Sequence, residues 1–173
     1  MLNSTPALAP MNSQSPLRDI EFRALLPHED ATGFRRLNEE WITRYFVLEP
    51  KDVETLSDPG NTIFRKSGRI LMAYANAEPV GCAALIPMGD GVVELAKMAV
   101  APECRGRGIG RRLLEYAIEQ ARTMGAKSVF LGSSTKLPAA VHLYETVGFR
   151  HVDPDSLGPM PYARADVFMQ LSL

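Results

Sequence analysis

The stretch CRGRGIGRRLL, Cys104 to Leu114, places three glycines and four arginines within eleven residues before it becomes apolar. A run with strand character, Val92 to Val100, precedes it, and an amphipathic helical pattern follows from Gly108 to Met124. A glycine loop at a helix start presents free backbone N–H groups, and the helix dipole adds about half a positive elementary charge there. The stretch therefore predicts an anion site suited to phosphate, which can come close because glycine has no Cβ.

Two familiar phosphate-binding loops do not fit this spacing. A Walker A loop requires a lysine and then a serine or threonine after its glycines, and no such pair follows here. A dinucleotide fingerprint requires its third glycine one position later than Gly110. A third pattern has glutamine or arginine, two residues, glycine, one residue, and glycine or alanine. It is matched in full by Arg105, Gly108 and Gly110.

This third pattern resembles the pyrophosphate loop of the GNAT superfamily, whose members are acyl-CoA-dependent N-acetyltransferases. The flanking sequence resembles the same family. Glu94 to Glu103 is similar to its cofactor-binding strand, and Ala139 to Phe149 is similar to its A…LYxxxGF signature. The order of predicted elements from Ile20 to Leu173 also agrees, so the sequence is identified as a member of this superfamily by resemblance.

The predicted fold class is α/β (α+β), with a GNAT-like mixed central β-sheet of six to seven strands flanked by helices on both faces. The predicted order is β-α-α-β-β-β-α-β-α-β-β. Strands are predicted at 20–25, 69–75, 79–87, 92–100, 128–131, 149–152 and 165–173, and helices at 28–46, 50–56, 108–124 and 137–147. Residues 19–173 are predicted to form a single N-acetyltransferase domain. Residues 1–18, rich in proline, serine and asparagine, are predicted to be a disordered tail.

The composition argues against several functional classes. The 173 residues carry 19 basic and 20 acidic side chains, a net charge of −1 that argues against a general nucleic-acid binder. No apolar run approaches the ~18 residues of a membrane span. The N-terminal residues lack the pattern of a secretory signal, so a cytoplasmic location is expected. The three histidines and two cysteines show no metal-ligand spacing, so no metal is expected.

The resemblance implies acetyl-CoA as cosubstrate and assigns the residues that bind it. Backbone amides of residues 106–110 are expected to hold the pyrophosphate, with neighbouring arginines adding positive charge. The pantetheine arm is expected to run beside residues 98–100, next to a bulge in that strand, with a backbone N–H near Met98 for the acetyl carbonyl. A serine stands where relatives often have an asparagine. The expected cofactor-binding residues are Met98, Ala99, Val100, Arg105, Gly106, Arg107, Gly108, Ile109, Gly110, Arg111 and Ser134.

Two residues are predicted to be catalytic, each with an alternative. Tyr144 occupies the position where the resembled family commonly has its proton donor to the leaving thiolate, but it also lies on an apolar helical stripe and could be a core residue. Glu94 lies in the cofactor strand, where some relatives carry a glutamate base. It could instead pair with Lys97 or another cation, and many relatives use ordered water with no single base.

The resemblance places the acceptor site at the first helices and at the loop from Asp153 to Arg164. A carboxylate such as Glu39 is suited to hold an ammonium group, and Arg164 to hold a carboxylate or to pair with Glu39. Trp41 and Tyr45 lie on the apolar stripe of the first helix, where core packing is the favoured role. The candidate acceptor residues are Asn38, Glu39, Trp41, Tyr45, Tyr162 and Arg164.

The predicted function is transfer of an acetyl group from acetyl-CoA to a primary amine of a small molecule, by direct attack in a ternary complex. One alternative is a protein acetyltransferase acting on lysine side chains or N-termini. The other is a non-catalytic acyl-CoA-binding sensor, because a fold does not fix a function. The expected partners are acetyl-CoA and an amine acceptor, without nucleic acid or membrane. Because homodimers are common in the resembled family, the resemblance also suggests a homodimer, although the sequence itself does not indicate an oligomeric state.

Overall fold

The computed structural model describes residues 19–156 and 162–173, and its described strands form one seven-stranded sheet. The spatial order is β1-β2-β3-β4-β5-β7-β6, and β4 and β5 are parallel neighbours while the other pairs are antiparallel. The predicted tail at 1–18 and part of the predicted acceptor loop, 157–161, lie outside the described residues. The strands are β1 Ile20–Leu25, β2 Arg69–Ala75, β3 Glu78–Gly89, β4 Val92–Val100, β5 Ser128–Ser133, β6 Arg150–His151 and β7 Val167–Ser172.

Five α-helices lie in the described part of the chain, one more than predicted. They are α1 Thr32–Tyr45, α2 Pro50–Ser57, α3 Pro59–Thr62, α4 Ile109–Thr123 and α5 Pro138–Val147. Helix α1 starts four residues later than predicted because hydrogen bonds to side chains fix a turn before it. Glu29 accepts the backbone N–H of Leu26, and Asp30 accepts that of Thr32. The additional helix α3 is a single turn that follows α2 directly, with the Asp58 carboxylate accepting the N–H of Asn61.

Apolar side chains form one cluster on each face of the sheet. Strand residues alternate between them, so that Ile70 belongs to the first cluster and Leu71 to the second. Phe34 of α1 is fully buried in the first cluster, and Leu114 of α4 is fully buried in the second. The apolar residues of α5 also pack on the second cluster. The predicted architecture, a mixed sheet with helices on both faces, is confirmed.

Strand β4 contains a bulge at Lys97. Residues 82–84 of β3 lie opposite residues 96–99 of β4, so β4 carries one extra residue there. Lys97 has a φ of +53°, which is uncommon for a residue other than glycine. The bulge also reverses the alternation of the strand, because Leu95 faces the second cluster whereas Ala99 faces the first. The predicted bulge is therefore present, and it turns Lys97 toward the face covered by α1 and α2.

Candidate active site

A cavity of about 560 Å³ opens where strands β4 and β5 separate. The two strands pair only at residues 92–94 of β4 and 128–130 of β5. Beyond these positions both strands continue without pairing to each other, and the start of α5 and residues 162–165 complete the cavity walls. Unpaired strand edges leave backbone donors and acceptors available, so this cleft suits an extended polar ligand lying along β4.

The glycine loop forms one end of this region and is shaped as an anion site. Gly106 and Gly108 have φ values of +73° and +76°. A Cβ at either position would meet no atom within 4 Å, so the backbone conformation rather than lack of space requires glycine. Within the described ranges, the N–H groups of residues 106–111 donate to no backbone acceptor, and α4 has no side-chain N-cap. Six consecutive free donors at the start of a 15-residue helix match the predicted pyrophosphate site.

The predicted arginines have different surroundings. Arg105 lines the cavity, where its Nε donates to the Val100 carbonyl at 3.3 Å and its guanidinium reaches the Tyr45 hydroxyl at 3.4 Å. Arg107 is exposed beside the free amides. Arg111 pairs with Glu115 on the surface of α4 at 3.1 Å, which partly neutralises its charge. The positive field at the loop therefore comes mainly from the first two arginines and the amides.

The cofactor residues predicted along β4 and before α5 lie on the cavity wall. Met98 and Val100 are half-buried there and Ala99 is buried. Ser134 is buried, and its Oγ accepts the backbone N–H of Lys136 at 3.2 Å. Its hydroxyl proton is still available for a ligand, because that contact uses only an oxygen lone pair.

The position of Tyr144 is compatible with both of the roles considered for it. Its ring packs edge-on against Phe149 with the centroids 5.9 Å apart, and it joins the second apolar cluster. Tyr144 also lines the cavity, and its hydroxyl makes no hydrogen bond to any residue that the structure describes. Burial raises the pKa of Tyr144 to about 12, so the hydroxyl stays protonated near neutral pH and is available as a donor.

Glu94 lies in the cavity wall, at the last position of β4 that pairs with β5. Its carboxylate forms neither a salt bridge nor a hydrogen bond with the described residues, so the predicted alternative, an ion pair with Lys97, is not formed. Burial raises the pKa of Glu94 above its ordinary value, and the nearby positive charge of Lys97 only partly opposes this. A half-buried carboxylate without a partner and with a raised pKa is suited to accept a proton.

Lys97 belongs instead to a buried ionic cluster, which we define as Glu49, Asp52, Lys97 and Arg164. The Lys97 Nζ lies 2.5 Å from Asp52 Oδ1, and their side chains are 3% and 0% exposed. Lys97 also donates to the Tyr162 hydroxyl at 2.9 Å. Burial lowers the pKa of Lys97, whereas its hydrogen bond to Asp52 opposes the change.

Arg164 completes the ionic cluster through two carboxylates. It donates to both oxygens of Asp52, at 2.6 and 2.7 Å, and to Glu49 at 3.0 Å. Burial alone would raise the pKa of Asp52, but the hydrogen bonds from Arg164 and Lys97 lower it to about 2. The alternative in which Arg164 pairs with Glu39 is therefore wrong, because Asp52 of α2 and Glu49, which precedes α2, supply the carboxylates.

The other predicted acceptor residues divide into two groups. Trp41 and Tyr45 line the cavity. Tyr45 is 42% exposed and is not a core residue, whereas Trp41 also packs against the first apolar cluster, as the stripe on α1 favoured. Asn38 and Glu39 lie elsewhere. Asn38 is fully buried and bonds the Phe34 carbonyl and the Trp41 indole, while Glu39 pairs with Arg35 at 2.7 Å on the exposed side of α1. The structure therefore gives neither of these two side chains access to the cavity.

Sequence reasoning missed Asp52 and Glu49 as part of this site. Asp52 lies in α2 and Glu49 directly precedes it, a stretch that carried no motif, and both reach Lys97 and Arg164 only through the tertiary fold. One local signal was available, namely the lysine inside the otherwise largely apolar strand run VVELAKMAV, residues 92–100. A lysine in such a run requires a buried partner.

Comparison with known proteins identifies the family. The sequence profile described as "Acetyltransferase (GNAT) family" matches residues 34–149, more than half of the chain. The chain belongs to the GNAT acetyltransferase family. The resemblance carried by the glycine loop and the LYxxxGF signature is thereby confirmed, and so is the expected class of enzyme, an N-acetyltransferase.

Two curated relatives are similar to this GNAT enzyme over most of their length. The uncharacterized N-acetyltransferase YjgM of Escherichia coli is 41% identical over 151 residues, which cover 83% of this chain and 89% of its own. An IAA acetyltransferase of Azospirillum brasilense is 32% identical over 136 residues, covering 78% of this chain and 87% of its own. Both names describe transferases, which agrees with an enzyme rather than a sensor.

Solved structures share the GNAT fold at low sequence identity. A GNAT-family acetyltransferase from Staphylococcus aureus has a TM-score of 0.79 at 19% identity and covers 89% of this chain and 99% of its own. The PaiA N-acetyltransferase of Thermoplasma acidophilum, solved in complex with coenzyme A, has a TM-score of 0.70 at 21% identity, covering 90% and 99%. At these identities the comparison shows the fold alone.

In the described part of the chain, no helix is long and apolar enough to cross a membrane. Within the same residues no group of three or more histidine, cysteine, aspartate or glutamate side chains is arranged to hold a metal ion.

Proposed function

We propose that this GNAT enzyme transfers an acetyl group from acetyl-CoA to a primary amine of a small molecule, by direct attack in a ternary complex. The observation that carries the proposal is one cavity lined by Tyr144, by the unpartnered carboxylate of Glu94 and by Arg105, the residue that directly precedes the free amides of the glycine loop. A cytoplasmic location and a homodimer remain predictions and are not part of this proposal.

The residues present fit coenzyme A. Free N–H groups at residues 106–111, with Arg105 beside them, match the charge of a pyrophosphate. The cleft between the unpaired parts of β4 and β5 matches an extended arm that bonds to backbone, and the buried Ser134 hydroxyl lies on its wall. When bound, acetyl-CoA supplies an activated thioester carbonyl for an amine to attack.

The side chains in the cavity match the two proton transfers that such a reaction needs. An alkylammonium has a pKa of ~10 and cannot attack until it loses a proton. Glu94 is placed to take that proton, directly or through water, because its carboxylate has no competing partner. The Tyr144 Oη holds a proton at neutral pH and is placed to give it to a departing thiolate.

A bounded acceptor space supports a small molecule over a protein acceptor. The backbone N–H of Ala163 donates to Glu49 at 3.0 Å, and Arg164 bonds both Glu49 and Asp52. These contacts fasten residues 162–164, two of which line the cavity, to the start of α2. A wall fixed in this way limits the space for a peptide chain on that side, which supports a small acceptor.

Thiol release tests the proposed function. Pure protein is incubated with acetyl-CoA and a panel of amines, amino acids, polyamines and peptides with lysine or a free N-terminus. Saturable thiol release with a small amine supports the proposal. Faster release with the peptides would favour a protein acceptor, and the absence of release with every acceptor would overturn the transferase reaction itself.

Gly108 and Gly110 give a matched pair of variants for the loop. Gly108→Ala puts a Cβ on a residue with φ of +76°, and adopting that conformation costs an alanine about 1–2 kcal/mol. Relaxation of this strain turns amides away from the ligand, so calorimetry should show coenzyme A affinity reduced about tenfold. Gly110→Ala should retain affinity, because its φ is ordinary and its Cβ would lie 3.8 Å from its neighbours. Equal affinity for both variants would mean that the loop conformation does not determine binding.

A further inference from the structure

We infer that the acceptor is a primary amine without a carboxylate on the carbon that bears the nitrogen. This inference rests on the proposed transfer to a small amine and narrows its substrate class. The observation behind it is that Asp52, a residue of the chain itself, already accepts hydrogen bonds from the two terminal nitrogens of Arg164, which we call its guanidinium fork. A carboxylate on a ligand would need that same fork.

Asp52 bonds both terminal nitrogens of Arg164, as the carboxylate of a bound ligand would. Its Oδ2 accepts from one terminal nitrogen of Arg164 at 2.6 Å and its Oδ1 from the other at 2.7 Å, the two-pronged geometry that guanidinium groups form with carboxylates. The remaining capacity of each oxygen is also used. Lys97 Nζ lies 2.5 Å from Oδ1, and the backbone N–H of Glu49 donates to Oδ2 at 2.9 Å.

The position of Asp52 is fixed by the start of α2. Asp52 is the third residue of α2, and its carboxylate accepts the backbone N–H of Glu49, the residue that precedes the helix. The Asp52 side chain is completely buried. Displacing it would leave a buried carboxylate without partners and would break the helix cap as well, so a ligand cannot readily take its place.

The charges at this end of the cavity favour a cation. Lys97 and Arg164 place two positive charges on the cavity wall. Asp52 and Glu49, which do not line the cavity, balance these charges from behind the wall, and the ionised Glu94 adds a negative charge to the wall itself. Glu94 is the member of this set without a salt bridge. An ammonium group therefore meets an attractive field, whereas a carboxylate two bonds from the nitrogen must lie near Glu94, a group of the same sign.

Two other cations line the cavity, and both lie at other places in its wall. Arg105 bonds the Val100 carbonyl and the Tyr45 hydroxyl next to the glycine loop. Lys136 is exposed to solvent, with its Nζ 5.7 Å from the centre of the Phe46 ring. A distant acidic group on an acceptor can reach Lys136 at the rim, so the inference concerns only a carboxylate adjacent to the reacting amine.

Matched pairs of amines test this on the wild-type enzyme. Each amine is compared with its parent amino acid at equal concentration of neutral amine: tyramine with tyrosine, histamine with histidine, isoamylamine with leucine, and ethylamine with alanine, with spermidine as a polyamine without a parent. We expect kcat/KM to be about 10- to 100-fold higher for the member without the carboxylate, because that group would be desolvated without a partner. An amino acid that equals or exceeds its amine overturns the inference. If no acceptor releases thiol, the transferase proposal itself fails.

The variant Asp52→Asn tests the cause of the selectivity. It removes the internal carboxylate, so Arg164 and Lys97 can meet a carboxylate from the substrate, and the amine-to-amino-acid ratio should fall at least tenfold. The ratio of the two kcat/KM values does not depend on the fraction of active enzyme, because both are measured on the same preparation. Circular dichroism shows whether the variant is folded. Asp90→Asn, at an exposed turn where φ is +54°, is the matched control and should retain the wild-type ratio. A folded Asp52→Asn with an unchanged ratio overturns the inference, and if that variant does not fold, the wild-type pairs decide.

Discussion

Replacing Tyr144 with phenylalanine is expected to lower kcat by about 10²- to 10⁴-fold, the usual contribution of a positioned proton donor. The ring and its packing against Phe149 remain, so coenzyme A affinity and the melting temperature should stay near those of the wild type. What is lost is a hydroxyl in the cavity whose pKa of about 12 keeps it protonated. Steady-state kinetics with a saturating amine, together with calorimetric titration of coenzyme A, measures both parts of this expectation.

Tyr116 provides the control for that experiment. It is a half-buried tyrosine on α4 whose ring lies 5.8 Å from Phe22, away from the cavity lining. Tyr116→Phe should therefore keep the wild-type kcat. An undiminished kcat in Tyr144→Phe would remove Tyr144 from the mechanism, and a joint loss of affinity and melting temperature would show that its role is structural.

The second large effect is expected from Glu94→Gln. A base acts in its ionised form, so the wild-type rate should rise as pH increases through the pKa of Glu94, which burial places above the ordinary value of 4.5. Glutamine cannot accept the proton. The variant should therefore lose about 10²- to 10⁴-fold in kcat/KM at the optimum, and the inflection that belongs to Glu94 should disappear from the acidic limb.

A pH–rate profile of the variant and of a surface control separates the possible bases. Glu119→Gln changes an exposed glutamate that pairs with Arg122 on α4, so its profile should match the wild type. The ionisation of the amine itself remains in every profile and serves as an internal reference. If Glu94→Gln keeps both the rate and the acidic inflection, an ordered water with no carboxylate base accounts for the proton transfer.

The fold and the conformation of the glycine loop could be predicted from the sequence because both depend on local patterns. Gly108 and Gly110 lie two residues apart, and the φ values that distinguish them follow from the turn into α4. The stripe on α1 was less informative near its end. Phe34, near the start of the helix, is buried as the pattern predicts. Tyr45, at its last residue, is exposed and lines the cavity instead.

The acceptor end could not be predicted in the same way. Lys97 and Asp52 are 45 positions apart in the chain, and Arg164 is 112 positions from Asp52. Periodicity describes which face of an element is apolar, but it does not indicate which distant charge will neutralise a buried lysine. The bulge that turns Lys97 toward α2 adds one residue to β4, and such an insertion leaves only an irregular period in the sequence.

The separation of β4 from β5 has a consequence for how acceptor choice can change among relatives. One part of the cavity wall comes from residues between 94 and 144, whereas the rest comes from the end of α1, Phe46 and residues 162–165. Substitutions in this second group can alter which nucleophile enters while leaving the donor machinery intact. Under the proposed function, residues between 94 and 144 handle the activated acyl group, whereas elements distant from them in the sequence select its recipient.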